Sequence, residues 1–214
     1  MDPRRNPYSP GAGLRPAALA GRDADIDTFE ILVDRASRGL ASRSIVFHGL
    51  RGVGKTVLLG ELAGRAGARD WLVMRLEAER TAPEQFSAAF AFELANAARK
   101  QRSWHDRATD AVRRALSSIT SFQLAIGIEG ISLGVERSRG VADTGRIQFD
   151  LVDLAETVGA AAAESGVGVV ALVDEMQELT NEQMSAICRS CHRAGQMNLP
   201  WFVIGGGLPN LPTA

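Results

Sequence analysis

Residues 44–62 read SIVFHGLRGVGKTVLLGEL, and the fold is decided there. Ser44, Ile45, Val46 and Phe47 form a short β-branched and aromatic run suited to a buried strand, while Val57, Leu58, Leu59 and Leu62 give the next segment an apolar helical face. Between the two stand Gly49, four further residues, and then Gly54-Lys55-Thr56. Strand, glycine loop and helix in immediate succession make a cradle for phosphate. Gly49, Gly52 and Gly54 carry no Cβ and accept positive φ, so successive backbone N–H groups can turn inward onto phosphate oxygens. The helix beginning near Gly54 adds its positive N-terminal end. Lys55 can reach the β and γ phosphates as a point charge, and the Thr56 hydroxyl is placed to ligate Mg²⁺. Gly49, Leu50, Arg51, Gly52, Val53, Gly54, Lys55, Thr56 and Val57 are therefore the expected cradle. The lysine is not background, because the chain has 22 arginines and only two lysines, Lys55 and Lys100. Arginine's wide planar fork would not fit so tight a loop.

A second motif lies far downstream. Residues 167–173, VGVVALV, form the continuous apolar run of a central parallel strand, and Asp174 and Glu175 follow directly. Ligands of open α/β sheets gather at the C-terminal ends of strands, which is where this carboxylate pair falls. Asp174 is expected to hold the Mg²⁺ shell, and Glu175 to orient and polarise an attacking water. A pair of this kind points to hydrolysis. The chain carries no Asn-Lys-x-Asp sequence, since Lys100 stands between Arg99 and Gln101, so a guanine nucleotide is disfavoured.

Length and composition bound the rest. At 214 residues with 45% hydrophobic content, the chain can fill one sizeable α/β core. With 24 basic residues against 25 acidic ones, nothing in the overall charge calls for nucleic acid or an anionic membrane. No apolar run approaches the length of a membrane span, and the opening MDPRRNPYSP lacks the apolar centre of a secretory signal, which reads as cytoplasmic. Cys188-Arg189-Ser190-Cys191-His192 matches the pattern for covalent haem attachment. Its place on a helical segment with Met184, Ile187, Cys188 and Cys191 on one face predicts small core thiols instead, and no haem.

In chain order, residues 1–20 are rich in Pro, Gly and Ala and read as an extended arm, leaving 21–214 as the core. Asp23 is the expected cap of a first helix, with Asp25 in its first turn, Arg35 and Arg38 in its last, Gly39 beyond, and Ile26, Phe29, Val33 and Ala36 inward. Residues 71–76 read as a strand. Thr81-x-x-Glu84 offers a capping box for a helix with Phe86, Phe90, Leu94 and Ala97 on one face, and Ser103-x-x-Asp106 opens another with Val112 and Leu116 inward. Arg99-Lys100-Gln101-Arg102 complements a helix end and reads as solvated. Over 121–136 the period changes to two: Phe122, Leu124, Ile126 and Ile128, then Ile131, Leu133 and Val135. This predicts a β-hairpin turning near Glu129 and Gly130, and with the polar loop 137–146 it makes an insertion over about 119–146. Leu151, Leu154, Ala155 and Val158 mark a helix to Gly166, Thr180-x-x-Gln183 opens one to about Arg193, and 201–204 is a last strand before Gly205-Gly206-Gly207.

Residues 49–56 as a Walker A motif, 169–175 as a Walker B motif and Leu19-Ala20-Gly21-Arg22-Asp23 ahead of both resemble AAA+ ATPases and the related signal-transducing (STAND) ATPases. The chain is particularly similar to bacterial ATP-binding proteins with an origin-recognition-like AAA domain, over nearly its whole length. The resemblance implies a P-loop NTPase three-layer α/β sandwich with a mainly parallel central sheet, here with the inserted hairpin, and ATP, ADP and Mg²⁺ as ligands. By position, Arg22 would mark the adenine side, Lys55 and Thr56 would serve phosphate and Mg²⁺, Asp174 would hold Mg²⁺, and Glu175 would be the catalytic base. The family's polar sensor falls on Gly205, Gly206 and Gly207, with Asn210 as the substitute. Its helical lid and fifth core strand are expected beyond Ala214, and Arg189 and Arg193 are the candidate fingers toward a neighbouring subunit. Two readings follow: a Mg²⁺-dependent ATP-binding and hydrolysing core of a switch or motor, or a nucleotide-gated interaction module with negligible hydrolysis. The implied partner is a second copy or a downstream domain of a longer chain.

Overall fold

In the two central strands, β3 (Val169–Asp174) and β4 (Trp201–Gly207), neighbouring side chains enter different cores. Val170, Leu172, Phe202 and Ile204 join one hydrophobic cluster, and Val169, Ala171, Val173, Trp201 and Val203 join another. A strand buried on both faces must be apolar throughout, which is why these two read as unbroken runs and not as alternation. The computed structural model describes residues 21–80, 83–106, 109–127 and 131–209. In it, β1 (Ile45–His48) and β2 (Leu72–Glu77) complete a four-stranded, all-parallel sheet of order β1-β4-β3-β2.

Two helices, α1 (Asp23–Ser37) and α2 (Lys55–Gly67), cover one face through Phe29, Leu32, Val33, Leu58, Leu59 and Leu62. Five cover the other: α3 (Pro83–Lys100), α4 (Arg102–Asp106), α5 (Asp110–Ala125), α6 (Ile147–Ser165) and α7 (Asn181–Gln196). This is the expected three-layer α/β arrangement. Among the described residues, no helix is long and apolar enough to cross a membrane. The predicted arm over 1–20, Thr81 of the first capping box and Asn210 lie outside the described residues.

The ends of the helices follow from local chemistry, with one correction. Thr180 and Gln183 form a reciprocal capping box on α7: the Thr180 hydroxyl accepts from the Gln183 N–H at 3.2 Å, and the Gln183 side-chain oxygen accepts from the Thr180 N–H at 2.9 Å. Gly166 ends α6 in the left-handed conformation. On α1, however, the cap position is Arg22 and not Asp23, and no side chain caps it. Asp23 and Asp25 both lie inside the first turn, where their charges complement the dipole without closing a hydrogen bond to the cap.

The hairpin expected over 121–136 is not formed. Residues 121–125 finish α5, 131–136 carry no strand, and 128–130 lie outside the described residues. The true period is helical: Val112, Ala115, Leu116, Ile119 and Phe122 are all buried against the α3 and α6 side of the core. Leu124, read as inward by the alternation, is 54% exposed, whereas Phe122 is fully buried. The helical stripe was obscured because α5 also buries Ser118, Ser121 and Gln123. Two of these polar groups have partners. Ser118 shares a 2.7 Å hydrogen bond with Thr157 of α6, and Ser121 donates to the Ser138 carbonyl at 2.7 Å.

That last bond also fastens the loop 137–146. Asp153 accepts from the Ala142 N–H at 2.8 Å, and Asp150, fully buried, accepts from both the N–H and the hydroxyl of Thr144 at 3.0 and 2.7 Å. Side chains of α5 and α6 thus supply the hydrogen bonds that a short irregular segment cannot make with itself.

Phe122→Ala should lower unfolding stability by about 3–5 kcal/mol, as for other buried aromatic truncations. Leu124→Ala should change it by less than about 0.5 kcal/mol. Urea denaturation of the two variants checks this, and equal losses would contradict the helical assignment.

Candidate active site

The loop after β1 is built on three glycines used in two ways. Gly52 and Gly54 have φ of 81° and 82°, left-handed values that glycine adopts without a Cβ penalty, and Gly54 is the cap residue from which α2 starts. Gly49 is set by proximity instead: a Cβ there would stand 3.2 Å from the Val53 side chain, a tight contact. Its N–H donates to the Gly207 carbonyl at 3.1 Å, so the loop is fastened at its first residue to the last residue of β4. Lys55 is only 7% exposed, and its ammonium donates to the carbonyls of Gly49 and Leu50 at 2.9 Å each. The charge therefore sits inside the loop's curve with its carbonyl partners as removable ligands. Arg51 and Thr56 are exposed, and Leu50 is 70% exposed, so the outer side of the loop is open.

Arg22 is brought to the same loop. One guanidinium nitrogen donates to the Val53 carbonyl at 2.5 Å, and another pairs with Asp25 at 2.7 Å. The start of α1 is thereby tied to the loop backbone. Nothing in the spacing of residues 22 and 53 announces this contact.

The carboxylates come from the other side of β4. The Thr56 hydroxyl donates to one Asp174 oxygen at 2.5 Å, joining residues 118 positions apart. The other Asp174 oxygen accepts the N–H of Glu175 at 2.9 Å. Glu175 adopts φ 51° and ψ 41°, a left-handed conformation that disfavours a non-glycine residue by about 1–2 kcal/mol. It is held there at both ends, because its carbonyl accepts from the Glu178 N–H at 2.8 Å and closes a 3₁₀ turn over Met176–Glu178. The Glu175 carboxylate accepts from the side-chain amide of Gln177.

The donor set fits a particular kind of ion. Among the described residues, no group of three or more His, Cys, Asp or Glu side chains is placed to hold a metal. A hydroxyl and one carboxylate in contact instead suit a hard cation that keeps most of its shell as water and phosphate oxygen, which is the habit of Mg²⁺.

The packing at the end of β4 explains the glycines at 205 and 206. A Cβ on Gly205 would overlap the Met176 sulfur. On Gly206 it would lie 3.0 Å from an Asp174 oxygen, 3.1 Å from Leu59 and 3.7 Å from the Lys55 Cβ. The bare backbone of β4 is a spacer between Lys55 and Asp174, with no room for a polar side chain. Residues 205–207, read from sequence as following the strand, are its last three residues.

Other candidates fall elsewhere. Arg193 is bound to Glu156 at 2.5 Å, and Arg189 lies with Arg146 over the ring of Phe149, at 5.9 and 5.1 Å from its centre. The expectation of two core thiols is corrected for one of them: Cys188 is exposed, whereas Cys191 is half-buried and packs against the core. The inward face of α7 runs through Gln183, Ala186, Ile187, Ser190 and Ala194, which turns Cys188 outward. Burial pushes the Cys191 thiol up, partly offset by its hydrogen bond from the Ser44 hydroxyl at 3.3 Å. Gln177 had no sequence signal, because its contacts are with one near neighbour and one distant backbone group.

A family model described as AAA ATPase domain matches residues 18–204 of the chain. No curated protein matches it.

Gly205→Ala should destabilise by about 1–3 kcal/mol through overpacking against Met176. Combined with Met176→Ala it should lose less than the sum of the two single changes, and a denaturation-based double-mutant cycle measures the difference. In alkylation with iodoacetamide near neutral pH, Cys188 should react ahead of Cys191. The raised thiol leaves less thiolate at any given pH, so the lag should shrink as pH rises; peptide mass spectrometry reads both sites.

Proposed function

The chain belongs to the AAA ATPase domain family, and from that membership we propose that it binds ATP with Mg²⁺ at the loop 49–56 and hydrolyses it, as the nucleotide-responsive core of a switch or motor. The observation that carries this reading is the contact between Thr56 and Asp174, which joins the two halves of the motif directly.

Each residue has a defined task. The loop N–H groups and the start of α2 receive the phosphates. Lys55 leaves the carbonyls of Gly49 and Leu50 for phosphate oxygens, exchanging neutral acceptors for charged ones. Thr56 and Asp174, now hydrogen-bonded to each other, are the residues that would hold the ion. When bound, Mg²⁺ neutralises charge on the phosphoryl oxygens. Glu175, directly after the ion's carboxylate, orients the attacking water and takes its proton. Arg22 keeps the start of α1 on the loop, which supports an adenine held on the Arg22 side.

Lys55→Ala should lose both ATP binding and turnover. Glu175→Gln should retain binding and slow hydrolysis by about 10²–10⁴-fold, the usual share of a general base. Filter binding and single-turnover assays with radiolabelled ATP report the two separately. Unchanged turnover in either variant would contradict the assignment, and ATP binding without any turnover in the wild-type chain would leave the nucleotide-gated interaction module.

A further inference from the structure

Gln177 lies on the turn after the carboxylate pair, half-buried, and its side chain is engaged at both ends. Its amide nitrogen donates to the Glu175 carboxylate, and its amide oxygen accepts the N–H of Leu208 at 3.0 Å. The amide has one orientation that satisfies both partners, because a backbone N–H only donates and an ionised carboxylate only accepts. Leu208 is the residue that follows β4. Next to it, the Gly207 carbonyl receives the N–H of Gly49 at the head of the phosphate loop, and two residues earlier the Met176 sulfur packs where Gly205 has no side chain. The exit of β4 therefore touches the loop on one side and the turn carrying Glu175 on the other.

We propose that Gln177 is a positioning residue: a strut between the exit of β4 and the Glu175 carboxylate, which makes the aim of that carboxylate depend on where the chain leaving β4 lies. The inference rests on the hydrolysis reading given above. The left-handed backbone of Glu175 fixes where its side chain begins, and Gln177 fixes where it ends. Because Gly49 is bonded to the same exit, a shift of the loop on filling with phosphate is transmitted along Gly207 and Leu208 to Gln177, with no side chain of β4 in between. An apolar residue of equal length at 177 would fill the same space and transmit nothing. A carboxylate there would repel Glu175 and lose the donor until protonated, after which it would copy the amide.

The test uses the full 214-residue chain. The affinity for ATP is measured beside kcat for the wild type, Glu175→Gln, Gln177→Met and Gln177→Glu. Gln177→Met should lower kcat tenfold or more while the Kd for ATP stays within about twofold. Gln177→Glu should be impaired at pH 8 and regain activity relative to the wild type as pH falls toward 6, because protonation restores the donor. A role in filling space alone would leave Gln177→Met as active as the wild type, and that result would overturn the inference. Should Gln177→Met fold poorly, Gln177→Leu replaces it in the same comparison of kcat with the Kd for ATP. Wild-type turnover that does not depend on Glu175 would overturn the hydrolysis reading and the inference with it, whereas Glu175-dependent turnover with an unaffected Gln177→Met overturns the inference alone.

Discussion

Strand β4 lies between β1 and β3, so the phosphate loop after β1 and the carboxylates after β3 can meet only across its C-terminal end. They meet because Gly205, Gly206 and Gly207 leave that end bare. With no side chain at Gly206, Lys55 and Asp174 approach the strand from two sides, and Thr56 reaches the Asp174 carboxylate. With none at Gly205, the Met176 sulfur anchors the turn that aims Glu175. Backbone groups then take over work that side chains do elsewhere: Gly207 holds the loop through Gly49, and Leu208 holds Gln177. Glycine weakens a strand, and here that weakness is offset by apolar burial on both faces of Trp201, Phe202, Val203 and Ile204.

Charge is treated consistently at this end of the sheet. Lys55 is buried with carbonyl partners, while Asp174 and Glu175 are half-buried, Asp174 accepting from a hydroxyl and an N–H and Glu175 from an amide, so each of these three groups has a hydrogen bond. Each of these partners is neutral and can be exchanged for a phosphate oxygen, an ion or a water without leaving a buried charge unpaired. The groups already stand together at one end of the sheet, and binding requires only that they change hydrogen-bond partners.

The legible parts of the sequence were those whose chemistry is local. Residues 49–56 need glycine conformations and a lysine within one loop, and 169–175 need an apolar strand with acids at its end; both patterns survive without knowledge of the rest of the chain. The period of residues 121–136 misled because α5 buries Ser118, Ser121 and Gln123 against other elements, which broke the apolar stripe and left an accidental alternation. The glycine run read as loop because glycine is a poor strand former, and its steric reason lies in Met176 and Leu59. Arg22 and Gln177 were opaque from spacing because their partners, Val53 and Leu208, are 31 residues away from each and are backbone groups.

The central claim is that Thr56 and Asp174 share an ion with a nucleotide seated in the loop. Calorimetric titration with a non-hydrolysable ATP analogue, in Mg²⁺ and in EDTA, tests it most directly on the wild type and on Asp174→Asn. The account predicts that Mg²⁺ tightens binding to the wild type and that this gain disappears in Asp174→Asn. Absence of binding, or a Mg²⁺ gain that persists in the variant, would contradict it.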